Sequence, residues 1–387
     1  MKKKIIRVTT VPQSLGGLLK GQLQFMSQYF EVLGVSSKGE NDELAHVSER
    51  EGIPTYAIEM TRQITPLKDL KAVWHLYHLF KKEKPFIVHS HTPKAGTLSM
   101  IAAKLAGVPH RLHTIAGLPL VEATGFKRTV LNTVEKVTYA CATKIYPNSF
   151  GLVEIILENK FTSNKKLKVI ANGSSNGIDT SFFDPTRYSD EAEVLKFRTD
   201  LNIPKHDFVF VYAGRLVTDK GINELIGAFN KLCTHYDGLK LLLVGTYEHE
   251  LDPLRPETLD IINHNKHIIS TGWVNDVRPY YALANALTFP SYREGFPNVV
   301  MQAAAMQLPC IVTNINGCNE IVKHHESGII IPIKDELALY NAMDYVLTHN
   351  EDSKRMGLTA RAHIVSNFER KKVWEALLME YNSLSES

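Results

Sequence analysis

The feature that most restricts the fold is a stretch in the last third of the chain, where a helix connects two apolar strands. Residues 284–289 form an apolar run that ends at a proline and predicts a buried strand. Pro297 then opens a helix predicted over residues 298–307, since proline is tolerated at a helix start, and Pro309 ends it. Residues 310–313 predict the second strand. This strand–loop–helix–strand unit is an α/β crossover.

The loop of this crossover carries Arg293, Glu294 and Gly295. It follows the carboxyl end of a strand and precedes a helix, where free backbone N–H groups and the positive helix dipole favour anions. Gln302 follows Glu294 by eight residues, so a carboxylate and an amide come near one helix start. This pair suits polyhydroxylated and phosphorylated ligands better than a metal ion. An ordinary crossover with a solvated glutamate has the same spacing, so the spacing alone leaves both interpretations open.

The same alternation of apolar strands and amphipathic helices recurs along the rest of the chain. With 387 residues, the chain has room for two domains of ordinary size. A polar, charged stretch that ends at Pro204 predicts the connection between them, and strand and helix patterns restart after it. We therefore expect an α/β protein with two domains of similar architecture.

Composition narrows the class of protein. A hydrophobic fraction of 44% and a charged fraction of 22% are typical of a soluble globular protein. No apolar run reaches the roughly 18–20 residues of a membrane-spanning helix, and the basic start lacks the apolar core of a signal peptide. The cysteines form no CxxC pair, which favours free thiols in a reducing compartment and a cytoplasmic protein. They are Cys141, Cys233, Cys310 and Cys318.

The charge is distributed unevenly between the two halves. Residues 1–180 contain 24 Lys and Arg against 14 Asp and Glu, a balance of +10, whereas residues 181–387 contain 20 against 27, a balance of −7. A basic first half suggests an anionic partner: a phospholipid surface, a diphosphate-linked substrate or, less favoured, nucleic acid. Scattered surface lysines would give the same balance.

Two glycines follow the first predicted strand, residues 4–9. Gly16 and Gly17 predict a loop that brings the backbone close to a ligand before a helix begins near residue 18. The pair does not form the GxGxxG pattern of a dinucleotide-binding loop.

Two helices predicted in the first half have faces with different expected partners. Residues 126–140 begin with Phe126, Lys127 and Arg128, which suits a membrane face but suits a core helix with a solvated rim equally well. Residues 67–82 predict an amphipathic helix. We expect its buried side to carry Leu70, Val73, Trp74, Tyr77 and Phe80.

Histidines mark the ends of two predicted strands. His89 and His91 alternate at one strand end, but no third ligand follows and the spacing matches no strong zinc pattern. A polar strand end that lines a cleft explains them better than a metal site. His113 and the backbone of residues 115–118 lie at the end of the next strand and are further cleft candidates.

The first strand of the second half, residues 208–212, ends in a group that suits a diphosphate. Gly214 lets the backbone approach a ligand, Arg215 supplies a two-pronged donor, and Lys220 supplies a point charge. Solvated charges at a strand end are the alternative interpretation.

Taken together, these motifs resemble those of the retaining glycosyltransferases of family 4. The resemblance rests on the order and spacing of several short motifs and covers nearly the whole chain. The first-half motifs are HSHTPKAG and HTIAGLP; the others are Gly214-Arg215-Leu216, Lys220-Gly221, Gly272-Trp273, Glu294-Gly295-Phe296-Pro297-Asn298 and Gly317-Cys318-Asn319-Glu320. Bacterial enzymes that build capsular or O-antigen polysaccharide resemble it most within this family.

The resemblance implies the GT-B fold, with two Rossmann-like domains that face each other across a cleft. It implies an acceptor-binding domain over residues 1–182 and a nucleotide-sugar donor domain over residues 183–366. Residues 367–387 then form a terminal helix that crosses back onto the first domain, which explains why its apolar face is followed by no further strand.

The family also implies roles for residues at matching positions. Arg215 and Lys220 would neutralise the donor diphosphate, and Glu294 would hold the donor sugar hydroxyls. Gln302 would contact the ribose. Gly214 would also contact the donor, and the backbone of Val274 would meet the base. The backbone of Gly295, Phe296, Pro297 and Asn298 would hold the sugar and phosphate. From the first domain, Gly16 and Gly17 would lie against the phosphates or the acceptor.

Two positions depart from the family pattern. The family has a second glutamate where this chain has Gln302, whose amide can still pair with ribose hydroxyls but without a charged acceptor. The family often has a histidine where this chain has Ala116. A backbone carbonyl or His113 would then serve the donor sugar, and we include His113 among the candidate catalytic residues.

The implied reaction is retaining transfer from a nucleotide-sugar, more often UDP- than GDP-linked, without a protein nucleophile. No D-x-D motif occurs, so we expect no metal cofactor. Nucleic acid is not among the partners that the resemblance implies. A saccharide acceptor on a lipid diphosphate would place the protein peripherally on the inner face of the cytoplasmic membrane. The alternatives are a nucleotide-sugar 2-epimerase, whose His-Gly-Asp-Thr run differs from the His-Ser-His-Thr here, and a non-catalytic nucleotide-sugar binder.

Overall fold

The computed structural model describes residues 2–61, 65–118, 124–248, 250 and 252–385. It divides the chain into two compact units. The first unit comprises Met1–Gly177 together with Lys371–Ser387, and the second unit comprises Ile178–Arg370. Each unit is built around its own six-stranded sheet.

The first unit has the strand order β3-β2-β1-β4-β5-β6, and all its strand pairs are parallel. Its elements are β1 (Lys4–Val8), α1 (Pro12–Leu18), α2 (Gln22–Ser27), β2 (Glu31–Ser36), α3 (Glu43–Glu51), β3 (Thr55–Ala57), α4 (Pro66–Glu83), β4 (Ile87–Ser90), α5 (Pro93–Ala106), β5 (His110–Ile115), α6 (Gly125–Cys141), β6 (Lys144–Pro147), α7 (Phe150–Glu158) and, from the end of the chain, α16 (Arg370–Ser383).

The second unit repeats this arrangement with the order β12-β11-β10-β7-β8-β9, again parallel throughout. Its elements are α8 (Glu191–Asp200), β7 (Phe208–Ala213), α9 (Ile222–Leu232), β8 (Leu239–Val244), α10 (Pro256–His264), β9 (Ile268–Gly272), α11 (Arg278–Leu283), β10 (Ala286–Phe289), α12 (Asn298–Ala305), β11 (Cys310–Thr313), α13 (Cys318–Ile321), β12 (Gly328–Ile331), α14 (Glu336–Thr348) and α15 (Asn350–Asn367).

Both sheets have the Rossmann strand order, with its reversal beside the first strand of each unit. The central strands are buried on both sides because helices cover both faces, and β10 and β11 are buried along their whole length. At the reversal, loops from neighbouring strands diverge and leave a crevice at the carboxyl edge of the sheet. In the second unit this crevice lies between the loops after β7 and β10, and in the first unit between those after β1 and β4. The predicted two-domain α/β architecture is confirmed.

The terminal helix α16 packs within the first unit. Its buried side includes Trp374 and Tyr381. The Trp374 indole donates to Asn176 Oδ1 at 2.6 Å, and the Tyr381 hydroxyl lies 2.5 Å from His89 Nδ1. The apolar face that no later strand covers is thus buried by the first unit.

Two predicted features of the first unit are wrong in detail. The stretch that contains Gly16 and Gly17 is not a loop but helix α1. Pro12 opens this helix, and Gly16 packs against α3. The predicted buried side of α4 is only partly right. Phe80 is buried and Val73 and Tyr77 pack against the core, but Leu70 and Trp74 are 69% and 58% exposed. The other buried residues of α4 are Ala72, Leu76 and Leu79.

Among the helices of the described residues, none combines the length and apolar character needed to cross a membrane.

Candidate active site

The loops after β7 and β10 bring a lysine and a glutamate together at the carboxyl edge of the second sheet. Lys220 Nζ lies 2.6 Å from Glu294 Oε1, and the two side chains are only 14% and 18% exposed. Ser291 joins them, since its hydroxyl donates to Glu294 Oε1 at 3.1 Å and lies 3.4 Å from Lys220 Nζ. The structure therefore brings together two residues that are 74 positions apart in the sequence.

Glycines let these loops approach each other. Gly221, directly after Lys220, has φ +70°, and a Cβ there would lie 2.1 Å from the carbonyl oxygen of Pro290. Gly317 has φ +79°, and a Cβ there would lie 2.6 Å from the carbonyl oxygen of Gly295. Any side chain at either position would push apart the backbone segments that carry Lys220 and Glu294.

Arg215 lies at the end of β7 in a half-exposed position. Its Nη1 lies 2.6 Å from Glu248 Oε2, and the two side chains are 46% and 32% exposed. Burial lowers the pKa of Arg215, but Glu248, Asp219 and Tyr212 together raise it, so the net direction is upward and the guanidinium stays charged. The Tyr212 hydroxyl holds this loop from beneath, donating to the carbonyl oxygen of Arg215 at 2.8 Å.

A cavity of about 370 Å³ opens beside Arg215 at the same edge of the sheet. Four residues that were predicted to contact the donor line this cavity: Gly214, Arg215, Val274 and Gln302. Apolar side chains make most of the remaining wall, which suits a flat nucleobase. They include Val244, Trp273, Val277, Tyr281 and Val299.

Helix α12 begins beside the Glu294 loop. The first backbone N–H groups of this helix, from Asn298 on, have no intrahelical partner because no turn precedes them. Pro297, the residue before the first turn, offers no side-chain cap for them. Asn316 fixes the loop by donating to the carbonyl oxygen of Glu294 at 2.5 Å. Backbone donors at a helix start are suited to phosphate or sugar oxygens.

The predicted residues of the first unit have different surroundings. Gly16 is buried in α1, where a Cβ would lie 2.7 Å from Val47 Cγ2, whereas Gly17 is exposed and has open space around it. Of the two glycines, only Gly17 has room to meet a ligand. In the HTIAGLP motif, Ala116 and Gly117 are partly exposed after β5, and Pro119 lies outside the described residues.

His113 lies inside the first unit and not on an open strand edge. It is 3% exposed, its Nδ1 lies 2.9 Å from Ser90 Oγ, and its ring packs where a Cβ on Gly96 would be. Burial lowers the pKa of His113 to about 4, so the ring is neutral near pH 7. The expectation of an accessible side chain is therefore wrong. Its assignment to the reaction stays a prediction, and its packing argues for a structural part.

His89 and His91 belong to a buried polar network instead of lining an open cleft. Their rings lie 4.2 Å apart, and His91 Nε2 accepts from Arg7 Nε at 3.0 Å. Arg7 is fully buried and also donates to Gln22 Oε1 at 2.6 Å. Among the described residues, no group of three or more His, Cys, Asp or Glu side chains could hold a metal ion.

Two residues of the site in the second unit were not predicted from the sequence, and Trp273 was named only as part of the Gly272-Trp273 motif. Ser291 bridges Lys220 and Glu294, Asn316 fixes the Glu294 loop, and Trp273 is 77% exposed on the rim of the cavity. Asn316 and Ser291 gave no signal because isolated polar residues in turns are common. The exposure of Trp273 could not be read from the sequence, since an aromatic residue after a strand is usually buried.

Two Rossmann-ordered sheets, one of which ends in a cationic site beside a helix start, are the architecture expected of a glycosyltransferase of the GT-B type. Comparison with known proteins agrees. Residues 194–363 match the family "Glycosyl transferases group 1", and residues 29–173 match "Glycosyl transferase 4-like domain". The chain belongs to this family of glycosyltransferases and is an enzyme that transfers sugars.

Two curated relatives are similar over most of their length. The capsular polysaccharide biosynthesis glycosyltransferase CapM of Staphylococcus aureus is 34% identical to this chain, and the match covers 98% of this chain and 97% of the length of CapM. The UDP-Gal:alpha-D-GlcNAc-diphosphoundecaprenol alpha-1,3-galactosyltransferase of Escherichia coli is 31% identical over 80% of this chain and 78% of its own.

Two solved structures share the fold. A glycosyltransferase from Rickettsia africae has a TM-score of 0.80 at 20% identity and covers 100% of this chain and 99% of its own. HepE from Anabaena, solved in complex with UDP, has a TM-score of 0.79 at 17% identity and covers 99% of this chain and 100% of its own. At these identities the likeness concerns the fold alone.

Proposed function

We propose that this glycosyltransferase moves a sugar from a UDP-sugar to a saccharide on a lipid diphosphate, with retention of the anomeric configuration, in the synthesis of a bacterial surface polysaccharide. The observation that carries the proposal is the grouping of Arg215, Lys220, Glu294 and Gln302 around one edge of the second sheet. Relatives with capsular and diphosphoundecaprenol-linked functions support the pathway and the acceptor class.

The donor would occupy the cavity and the adjoining loops. The nucleobase fits the apolar wall near Val274, and the ribose fits the amide of Gln302. The diphosphate would then meet Arg215 and Lys220, which exchange their carboxylate partners for phosphate oxygens. For Arg215 this exchange costs little, because its pair with Glu248 is partly exposed and such pairs contribute only about 0–1 kcal/mol.

The reaction needs no nucleophile from the protein. The bond between the anomeric carbon and the β-phosphate oxygen breaks, and a bond forms from the acceptor hydroxyl oxygen to the same face of that carbon. The hydroxyl proton passes to the departing phosphate oxygen. Arg215 and Lys220 stabilise the negative charge on the leaving nucleoside diphosphate, and Glu294 orients the donor sugar through its hydroxyl groups.

Metal independence is part of the proposal. Arg215 and Lys220 would supply the charge that a divalent cation supplies at other diphosphate sites. Transfer should therefore persist in the presence of EDTA.

A transfer assay with product analysis tests the proposal. Purified enzyme, a radiolabelled UDP-sugar and a lipid-diphosphate-linked saccharide should yield an extended lipid-linked product, and NMR should show the anomeric configuration of the donor. An inverted product would overturn the retaining reaction. An isomerised sugar formed without an acceptor would indicate an epimerase, and donor binding without turnover would indicate a binding protein.

A further inference from the structure

The outer side of α4 exposes a row of apolar side chains that the fold does not use. Leu67, Leu70 and Trp74 are 86%, 69% and 58% exposed. They recur at intervals of three and four residues and therefore lie on one face of the helix. Single exposed apolar residues are common, but a row of three large ones on one helix face indicates a surface that contacts a partner.

This row is separate from the core. The opposite side of α4 already provides the packing against the core, because Ala72, Leu76, Leu79 and Phe80 are buried there. The outer apolar residues are therefore exposed to water and do not stabilise the packed unit. A purely structural helix at this position would carry polar residues there.

Lysines surround the apolar row. Lys68, Lys71, Lys81 and Lys82 are exposed on the same helix. The two carboxylates of α4 already have cationic partners: Asp69 lies 2.5 Å from Lys94 Nζ, and Glu83 lies 2.6 Å from Lys4 Nζ. The outer side of the helix therefore presents positive charge beside apolar side chains.

A groove of about 760 Å³ continues this surface between α4 and the edge strand β3. Trp74 forms its aromatic wall, with its ring 4.3 Å from that of His78 and 5.1 Å from that of His75. The carboxylate among the lining residues, Glu59, accepts a hydrogen bond from the backbone N–H of Lys38 at 3.1 Å. The groove thus combines amphipathic aromatic rings with a basic rim.

We propose that Leu67, Leu70 and Trp74, with Lys68 and Lys71, form the surface through which the enzyme docks on an anionic phospholipid membrane. We call these five residues the α4 surface. Lysines attract anionic headgroups, and an indole with leucines beside it suits the boundary between headgroups and acyl chains. This inference rests on the proposed lipid-linked acceptor, and it assigns the membrane contact to α4 instead of the basic start of α6.

The α4 surface lies on the side of the first unit where an acceptor would be needed. In a right-handed parallel crossover the helix runs back along the strands, so its first turn lies at their carboxyl ends. The Lys94–Asp69 pair ties the first turn of α4 to the first turn of α5. Directly before α5, Thr92 Oγ1 accepts from the backbone N–H of Thr10, in the loop after β1. Leu67 and Leu70 therefore lie at the same edge as the first unit's crevice.

Vesicle binding tests the proposal directly. The enzyme should cosediment with phosphatidylglycerol/phosphatidylcholine vesicles at low salt, and the charge reversal Lys68→Glu/Lys71→Glu should weaken binding more than about tenfold. Lys160→Glu/Lys165→Glu changes two other exposed lysines of the first unit by the same charge and should bind like the wild type.

A matched pair of leucines tests the apolar part of the surface. Leu70→Glu should weaken vesicle binding about tenfold or more, whereas Leu105→Glu should not, although Leu70 and Leu105 are 69% and 64% exposed. Leu105 lies near the end of α5, at the opposite edge of the sheet. Trp74 provides a spectroscopic signal: vesicles should shift the emission of the wild type to shorter wavelength, and Trp74→Phe should abolish most of that shift.

Equal vesicle binding by the wild type, Leu70→Glu and the Lys68/Lys71 variant would overturn the inference. So would self-association of the wild type that Leu70→Glu abolishes while vesicle binding persists, since the surface would then join two copies of the chain. Transfer to a detergent-solubilised acceptor separates this test from the proposed function. If the wild type transfers sugar in detergent but binds no vesicles, only the docking inference fails; if it binds vesicles but transfers no sugar, the proposed function fails.

Discussion

At the scale of single residues, the site consists of cations that already have carboxylate partners. Lys220 pairs with Glu294, and Arg215 pairs with Glu248. The first pair is mostly shielded from solvent, so Glu294 positions the ammonium before any substrate arrives. A diphosphate offers more charge and more acceptor atoms than one carboxylate, and we therefore expect it to replace these partners.

Gln302 provides a test of ribose recognition at this scale. Gln302→Ala removes both hydrogen-bonding groups and should raise the Kd for UDP about five- to tenfold. Gln302→Glu restores a charged acceptor and should lower the Kd below the wild-type value, because charge-assisted hydrogen bonds are stronger. Isothermal titration with UDP measures both. Equal affinities for all three proteins would show that this side chain does not contact the nucleotide.

The buried histidines of the first unit predict the pH dependence of stability. Burial lowers the pKa of His113 to about 4. It also lowers the pKa values of His89 and His91 well below that of an ordinary histidine. The unfolded chain, with histidine pKa values of about 6.5, then binds more protons than the folded chain. Stability should therefore fall as the pH drops below about 6.5, by up to about 1.4 kcal/mol per pH unit for each histidine.

Urea denaturation at a series of pH values between 7.5 and 5, all near the usual histidine range, measures this dependence. His113→Gln should reduce the slope because it removes one of the three groups, even if it also lowers stability at neutral pH. A stability that does not change over this range would contradict the buried, neutral state of the histidines.

At the scale of elements, α1 shows how packing decides which of two adjacent glycines has room for a ligand. Gly16→Ala should destabilise the protein by about 1–3 kcal/mol, because its Cβ would meet Val47 on α3. Gly17→Ala should preserve stability or raise it by about 0.5–1 kcal/mol, since the position is helical and open. Thermal denaturation measures both effects.

The same pair tests the implied contact between α1 and a substrate. If Gly17 lies against the phosphates or the acceptor, Gly17→Ala should lower the rate of transfer severalfold without loss of stability. Full activity of Gly17→Ala would remove this glycine from the site.

Gly221, in the loop after β7, and Gly238, directly before β8, give a second matched pair. Their φ angles are nearly the same, +70° and +69°, but a Cβ on Gly221 would lie 2.1 Å from Pro290 O, whereas the nearest contact of a Cβ on Gly238 would be at 3.5 Å. Gly238→Ala should cost only the left-handed strain of about 1 kcal/mol and keep its activity. Gly221→Ala should displace the Lys220 and Ser291 segments and reduce activity at least tenfold. Steady-state kinetics on both variants decides between the expectations, and equal activities would contradict the loop contact.

Local patterns predicted the strands and the loops of the second unit well, because buried parallel strands read as continuous apolar runs and glycines and prolines mark their ends. The pattern failed where a residue's environment depends on its neighbours in space. Leu70 and Trp74 have the spacing of a buried face, yet α4 turns its other side to the sheet. His113 lies near the carboxyl end of β5, where an exposed side chain is expected, yet its ring packs against Gly96 inside the unit.

At the scale of the whole molecule, the two units repeat one architecture with different surfaces. The second unit carries the proposed diphosphate site, and the first unit carries excess positive charge and the α4 surface. The chain returns to the first unit at Lys371, so the second unit is inserted between two parts of the first. This organisation predicts a division of labour, with donor chemistry in the second unit and acceptor and membrane contacts in the first.

The central claim is that Lys220 serves sugar transfer from a nucleotide donor. The most direct measurement is the release of nucleoside diphosphate from a panel of UDP- and GDP-sugars, with and without a lipid-linked saccharide acceptor, for the wild type and Lys220→Ala. We predict release from one UDP-sugar that depends on the acceptor and falls at least about a hundredfold in Lys220→Ala, which loses stabilisation of the leaving group. Release that does not depend on the acceptor, or that is equal in the variant, would contradict the account.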